Sequence, residues 1–180
     1  MTGPVAVLIG PMAAGKTSVG RALAARLGVP FADLDALIVQ EAGRTIPDIF
    51  SDEGEPAFRE REARSLARAV AHQRGVLSLG GGAPMHARAA STLRDLPVVL
   101  LEIDEATVSR RLAHGVGRPM LAGEEPMARW RELAAARAET YRGLATHRID
   151  AALGSPDRVA AAIIDALQLQ GLARPEEETE

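Results

Sequence analysis

Two kinds of apolar spacing alternate along this chain. Val5-Ala6-Val7-Leu8-Ile9, Val76-Leu77-Ser78-Leu79 and Val98-Val99-Leu100-Leu101 are nearly unbroken apolar runs. A strand reads this way when both its faces are covered, as in a parallel sheet. Between the runs, apolar residues recur at helical intervals. Val19, Leu23 and Leu27 stand four apart, with Gly28 and Pro30 to stop the helix. Phe31-Ala32-Asp33 reads as a short strand, and a helix is expected from about Ala36 to Ala42, ended by Gly43. Pro47 suits the first turn of a short helix. A longer one is expected from about Pro56 to His72, marked by Phe58, Ala63, Leu66 and Val70, with Gly75 closing it. A further helix is expected near His86 to Leu93. Asp104 suits the cap of the next, Pro126 opens one reaching about Tyr141, and Arg148-Ile149-Asp150 reads as a last edge strand. Ser155 and Pro156 start a final helix that ends near Gly171. The stretch over about 113–126 lacks periodicity and reads as a mobile lid.

Strands alternating with helices predict a parallel sheet between two helical layers, with ligands outside the carboxyl ends of the strands. One domain over about residues 1–172 is expected, followed by a disordered acidic tail at 173–180. Three clusters fall at predicted strand ends, and they carry the candidate chemistry.

The first is Gly10-Pro11-Met12-Ala13-Ala14-Gly15-Lys16-Thr17, which reads G-x-x-x-x-G-K-T, a phosphate-binding P-loop between a strand and a helix. Of the 21 basic residues only this Lys16 is a lysine; the other twenty are arginines. A guanidinium is a wide planar fork, whereas an ammonium is a compact point charge that fits beneath phosphates inside a tight loop. Backbone N–H groups of such a loop form an anion nest, and the helix N-terminus adds partial positive charge. Thr17 offers a hydroxyl to Mg²⁺. The second cluster is Asp33 and Asp35. One suits a water-mediated contact to Mg²⁺; the other suits hydrogen bonds to substrate hydroxyls and acceptance of a proton. Helix capping by Asp35 is the plainer alternative. The third is Gly80-Gly81-Gly82, whose backbone can approach a ligand closely. Arg59, Arg118 and Arg137 stand at informative places: a lid arginine such as Arg118 can stabilise a transferring phosphoryl group, and Arg59 and Arg137 can hold a carboxylate through paired N–H bonds.

Composition narrows the field. A net charge of -3 disfavours a general nucleic-acid binder, and the absence of cysteine removes disulfides, thiolate nucleophiles and cysteine-bound metals. No apolar run is long enough for a membrane span, so a cytoplasmic protein is expected, acting as a monomer. The chain has no asparagine, and its one lysine lies in the P-loop, which disfavours the Asn-Lys-x-Asp guanine reader of a GTPase.

Taken together, the spaced motifs resemble the shikimate kinase family, in its short actinobacterial form, over about residues 4 to 170. They are the P-loop, Asp33-Leu34-Asp35, D-I-F-x-x-x-G-E-x-x-F-R at Asp48 to Arg59, L-G-G-G at Leu79 to Gly82, R-P-x-L at Arg118 to Leu121, and R-x-x-x-Y-x-x-x-A from Arg137 to Ala145. The resemblance implies a P-loop NTPase fold like that of nucleoside monophosphate kinases, with a five-stranded parallel sheet, a substrate-binding helical segment at about 33–61 and a lid. It implies transfer of the γ-phosphoryl of ATP to the 3-hydroxyl of shikimate, on the way to chorismate. By motif, Ala13, Ala14, Gly15, Lys16, Thr17 and Ser18 take the ATP phosphates, Thr17 binds Mg²⁺ with support from Asp33, and Arg111 lies by the adenine. Asp35 orients the shikimate hydroxyls, Arg59 and Arg137 take its carboxylate, Gly80, Gly81 and Gly82 supply backbone contact, and Arg118 closes over the phosphates. Ala13-Ala14 departs from the Gly/Ser-containing step common in the family. A gluconate kinase is the nearest rival, and the D-x-D pair and triple glycine speak against it.

Overall fold

The computed structural model describes residues 3–113, 125–169 and 172. Its strands are β1 (Ala6–Ile9), β2 (Phe31–Asp33), β3 (Val76–Ser78), β4 (Val98–Glu102) and β5 (His147–Asp150). Its helices are α1 (Lys16–Leu27), α2 (Leu34–Ala42), α3 (Ile46–His72), α4 (Ala89–Thr92), α5 (Glu105–Ala113), α6 (Pro126–Leu144) and α7 (Pro156–Ala166). The five strands form one sheet in the order β2-β3-β1-β4-β5, with every neighbouring pair parallel.

The unbroken apolar runs are explained by burial on both sides. Val7 and Ile9 of β1 join Leu77, Val98 and Leu100 beneath α2, α3 and α6. Ala6 and Leu8 turn the other way, joining Val76, Val99 and Leu101 beneath α1 and α7. Alternate residues of a strand serve opposite faces, so a strand covered twice has no polar positions to spare. A third, small cluster of Ala13, Val108 and Trp130 ties the P-loop to α5 and α6.

Several boundaries differ from expectation for local reasons. α2 starts at Leu34, because the cap is Asp33 and not Asp35: Asp33 Oδ1 accepts from the amides of Asp35 (3.1 Å) and Ala36 (3.5 Å). The two aspartates therefore do not share one extended strand. The helices expected around Pro47 and Pro56 meet end to end in α3, with a break at Gly54 (φ 78°, ψ 168°). A reciprocal pair opens α3: the Asp48 amide donates to Thr45 Oγ1 (3.3 Å) and the Thr45 amide to Asp48 Oδ2 (3.2 Å). The helix expected near His86 to Leu93 is reduced to a 3₁₀ turn at Ala83–Met85 and the single turn α4. α7 stops at Ala166, five residues short of Gly171. The expected lid, apart from its ends, and the acidic tail lie outside the described residues. Among the described residues no helix is long and apolar enough to cross a membrane.

Connections from the adjacent strands β1 and β3 leave in opposite directions: β1 leads to β2 beyond β3, and β3 leads to β4 beyond β1. Such a reversal opens a crevice at the carboxyl ends of the two strands. The P-loop follows β1 and Gly80-Gly81-Gly82 follows β3, so the topology brings two of the three candidate clusters together.

Candidate active site

The P-loop begins at Gly10 (φ +142°), where a side chain would collide with the Leu101 carbonyl oxygen. It ends at Gly15 (φ 86°), the N-cap of α1. Asp33, Thr45 and Ser155 cap α2, α3 and α7 with their side chains, but no side chain caps α1. Its first N–H groups are thus left for an incoming anion. The loop carbonyls are tied in succession. Lys16 Nζ donates to Gly10 O (2.8 Å) and Pro11 O (2.9 Å), Trp130 Nε1 to Met12 O (2.9 Å), and Arg111 Nη1 to Ala13 O (2.8 Å).

Thr17 Oγ1 donates to Asp33 Oδ2 at 2.9 Å. Both oxygens of Asp33 are therefore engaged, one by Thr17 and one by the start of α2. Asp35, released from capping, lines a cavity of about 430 Å³ together with Lys16, Arg59 and Arg137. Burial raises its pKa above the ordinary aspartate value, and nearby Asp33 adds to the rise, while Lys16 and Arg59 pull against it. Carboxylates of raised pKa take up protons more readily.

The three glycines make room for three side chains. A methyl group on Gly80 would collide with the Asp35 carboxylate, and one on Gly82 with the Arg59 guanidinium. One on Gly81 would press on Arg137 Nη1 (3.2 Å) and Tyr141 Oη (3.4 Å). Gly81 is also anchored, since the Tyr141 hydroxyl donates to its carbonyl at 2.7 Å. The D-x-D and arginine motifs thus converge on the glycine step from separate elements.

Arg59 is held along its edges. Nη1 donates to Glu62 Oε2 (2.9 Å); Nε and Nη2 reach Glu55 Oε1 at 3.3 and 3.0 Å. The guanidinium also lies 5.9 and 5.4 Å from the ring centroids of Phe50 and Phe58. Burial works against its charge, but the hydrogen bonds it donates to Glu62 and Glu55, with the attraction of their charges, outweigh that and raise its pKa. Glu62 is only 2% exposed, and burial pushes its pKa up despite Arg59. A buried carboxylate of this kind is costly unless paired, so it fixes Arg59 where the cavity needs a cation.

The predicted site residues fall into two neighbouring cavities. Ala13, Gly15, Lys16, Thr17 and Ser18 line the first along one wall, Asp33 and Asp35 a second, and Arg59, Gly80, Gly81, Gly82 and Arg137 the rest. Ala14 and Arg111 line an adjoining cavity of about 640 Å³, which shares Ala13, Gly15 and Ser18. Arg118 lies outside the described residues. Glu62, Tyr141 as an anchor of Gly81, and Trp130 as a P-loop contact were not expected from the sequence. Two signals were available: Glu62's place three residues after Arg59 on the same helix, and Tyr141's place in the R-x-x-x-Y spacing from Arg137.

The sequence model of the family described as shikimate kinase matches residues 12–168. The chain belongs to the shikimate kinase family. It is 44% identical over 162 residues to the shikimate kinase of Saccharopolyspora erythraea, covering 90% of this chain and 93% of that protein. Its identity to the shikimate kinase of Streptomyces avermitilis is 45%, over 94% of this chain and 99% of that one. Among solved structures it is similar to the shikimate kinase from Acinetobacter baumannii in complex with shikimate, with a TM-score of 0.85, 36% identity and 93% of each chain covered. The family and the fold expected from the motifs therefore stand.

Proposed function

We propose that the chain transfers the γ-phosphoryl of ATP to the 3-hydroxyl of shikimate, giving ADP and 3-phosphoshikimate. The observation that carries this is the convergence of Asp35, Arg59 and Arg137 on three glycines beside a P-loop, within one cavity of about 430 Å³. Two guanidiniums and a carboxylate suit a small acid that also carries hydroxyls. The adjoining cavity at Arg111 suits the adenosine end of the nucleotide.

Each residue takes a role its surroundings favour. Lys16 and the open N-terminus of α1 hold the phosphates. Asp35 orients the acceptor hydroxyl and takes its proton as the O–P bond forms, helped by its raised pKa. Arg59 and Arg137 grip the carboxylate, with Glu62 holding Arg59 in place. Arg118, outside the described residues, is assigned by its motif alone to the developing charge on the transferred group. Among the described residues no cluster of three or more His, Cys, Asp or Glu side chains can hold a metal on its own. The Thr17 hydroxyl beside the Asp33 carboxylate nevertheless supplies the hard oxygen chemistry that Mg²⁺ prefers. Thr17 would hold the ion with the nucleotide, and Asp33, with both oxygens engaged, would support it through Thr17. Mg²⁺ bound there offsets phosphate charge. The enzyme acts as a cytoplasmic monomer in this reading.

ADP release measured with shikimate, with gluconate and with no acceptor tests the assignment. Only the shikimate arm is expected to turn over; equal release with gluconate would overturn the choice of acid. Lys16→Met is expected to lose turnover by about 10³-fold or more while its circular dichroism and melting midpoint stay near those of the parent.

A further inference from the structure

The P-loop carbonyls are held by three side-chain donors, its own Lys16 and, from outside it, Arg111 and Trp130, and these differ in what a nucleotide does to them. Lys16 and Arg111 are cations, so an arriving polyphosphate competes for them with the carbonyls they now hold. Trp130 Nε1 is a neutral donor. It reaches Met12 O at 2.9 Å from a residue 118 positions away in the chain. Phosphate has little attraction for an indole N–H that already has a carbonyl.

The next residue raises the importance of that bond. Ala13 sits at φ 67°, the left-handed region, and is one of three non-glycine residues there among those described. Left-handed backbone costs an L-residue roughly 1–2 kcal/mol. Its methyl group is buried against Trp130 and Val108. A trans peptide is planar, so fixing the Met12 carbonyl also fixes the Ala13 N–H, pointing the opposite way. One indole thus sets an amide direction through its donor and holds the following strained residue through its ring.

We propose that Trp130 is a positioning residue for nucleotide binding: from α6, its indole locks the Met12–Ala13 peptide of the P-loop in the orientation that receives the phosphates, and it stays bonded when nucleotide arrives. This rests on the kinase reading above and adds a determinant of nucleotide affinity that touches no reacting atom.

Trp130→Phe keeps an aromatic ring in the cluster and deletes the donor. Calorimetry is expected to show MgADP binding about five- to tenfold weaker, the scale of one lost hydrogen bond, with shikimate binding changed less than twofold. Unchanged MgADP affinity would overturn the proposal, and so would equal weakening of both ligands, which is the mark of a general loosening. A second measurement needs no substitution. Trp130 is the only tryptophan, so the parent protein has one indole N–H resonance. Its hydrogen exchange is expected to remain slow when MgADP is added; exchange at the rate of a solvent-exposed indole in the complex would refute a persistent bond. Shikimate-dependent ADP release by the parent protein is read separately. Its absence would defeat the kinase reading, whereas its presence with an indifferent Trp130→Phe defeats only this inference.

Discussion

Asp33 and Asp35 are two residues apart and do different work because one helix starts between them. Asp33 caps α2 and accepts from Thr17, so its charge is satisfied locally. Asp35 is left in the cavity, where burial and the neighbouring carboxylate outweigh Lys16 and Arg59 and raise its pKa above the ordinary 3.8. The sign for stability follows. Between the unfolded and folded pKa values the folded chain binds more protons, so this group's contribution is full below the unfolded value and declines as pH rises through the folded one. Asp35→Asn is therefore expected to melt higher than the parent at neutral pH, with turnover lost. The gap should close as pH falls below the ordinary aspartate range. Melting curves across that range check it, and a lower midpoint for the variant at pH 7 would contradict the account. In the sequence, the pairing of these aspartates with a P-loop was legible, but which one capped the helix was not. Either residue makes an acceptable N-cap, and only the register of α2 decides.

At the scale of elements, α3 and α6 supply cations and β3 supplies the space for them. Gly82 has φ -91°, so an alanine there meets no backbone strain, only the Arg59 guanidinium. Gly82→Ala is expected to raise the KM for shikimate about tenfold or more, the cost of misplacing a charge-assisted contact. KM for ATP should stay within about twofold, and the melting point within a few degrees. A selective rise in KM for ATP would move the glycine step's role to the nucleotide. β1, β3 and β4 were the most readable elements, because burial on both faces leaves a short, nearly unbroken apolar run. The segment from His86 to Leu93 was least readable. Its composition permits a helix, but the chain turns through 3₁₀ geometry at Ala83–Met85 and leaves room for one helical turn. Glu62 was hidden for another reason: in a helix rich in Arg and Glu, a glutamate reads as a solvated face. Its burial follows from how α3 lies against the sheet, not from local sequence.

Across the whole molecule, the site exists because the order β2-β3-β1-β4-β5 places two glycine-bearing strand ends side by side. Alternating strands and helices predicted a crevice, but not which strands would border it. The contacts that shape the P-loop span even greater distances along the chain, Trp130 to Met12 and Arg111 to Ala13. Such contacts leave no periodicity to read. The chain carries twenty arginines, and its one lysine stands with its amine on the Gly10 and Pro11 carbonyls. That economy gives the protein a built-in chemical reporter. An amine-selective acylating reagent has a single side-chain target, and modification there should track loss of turnover one for one by mass spectrometry. Saturating MgADP should shield it, and modification that leaves turnover intact would show that the ammonium is dispensable. By the same reasoning, attachment to a sensor surface through the Lys16 amine is expected to inactivate this enzyme, whereas attachment through exposed acidic residues is expected to leave that amine free.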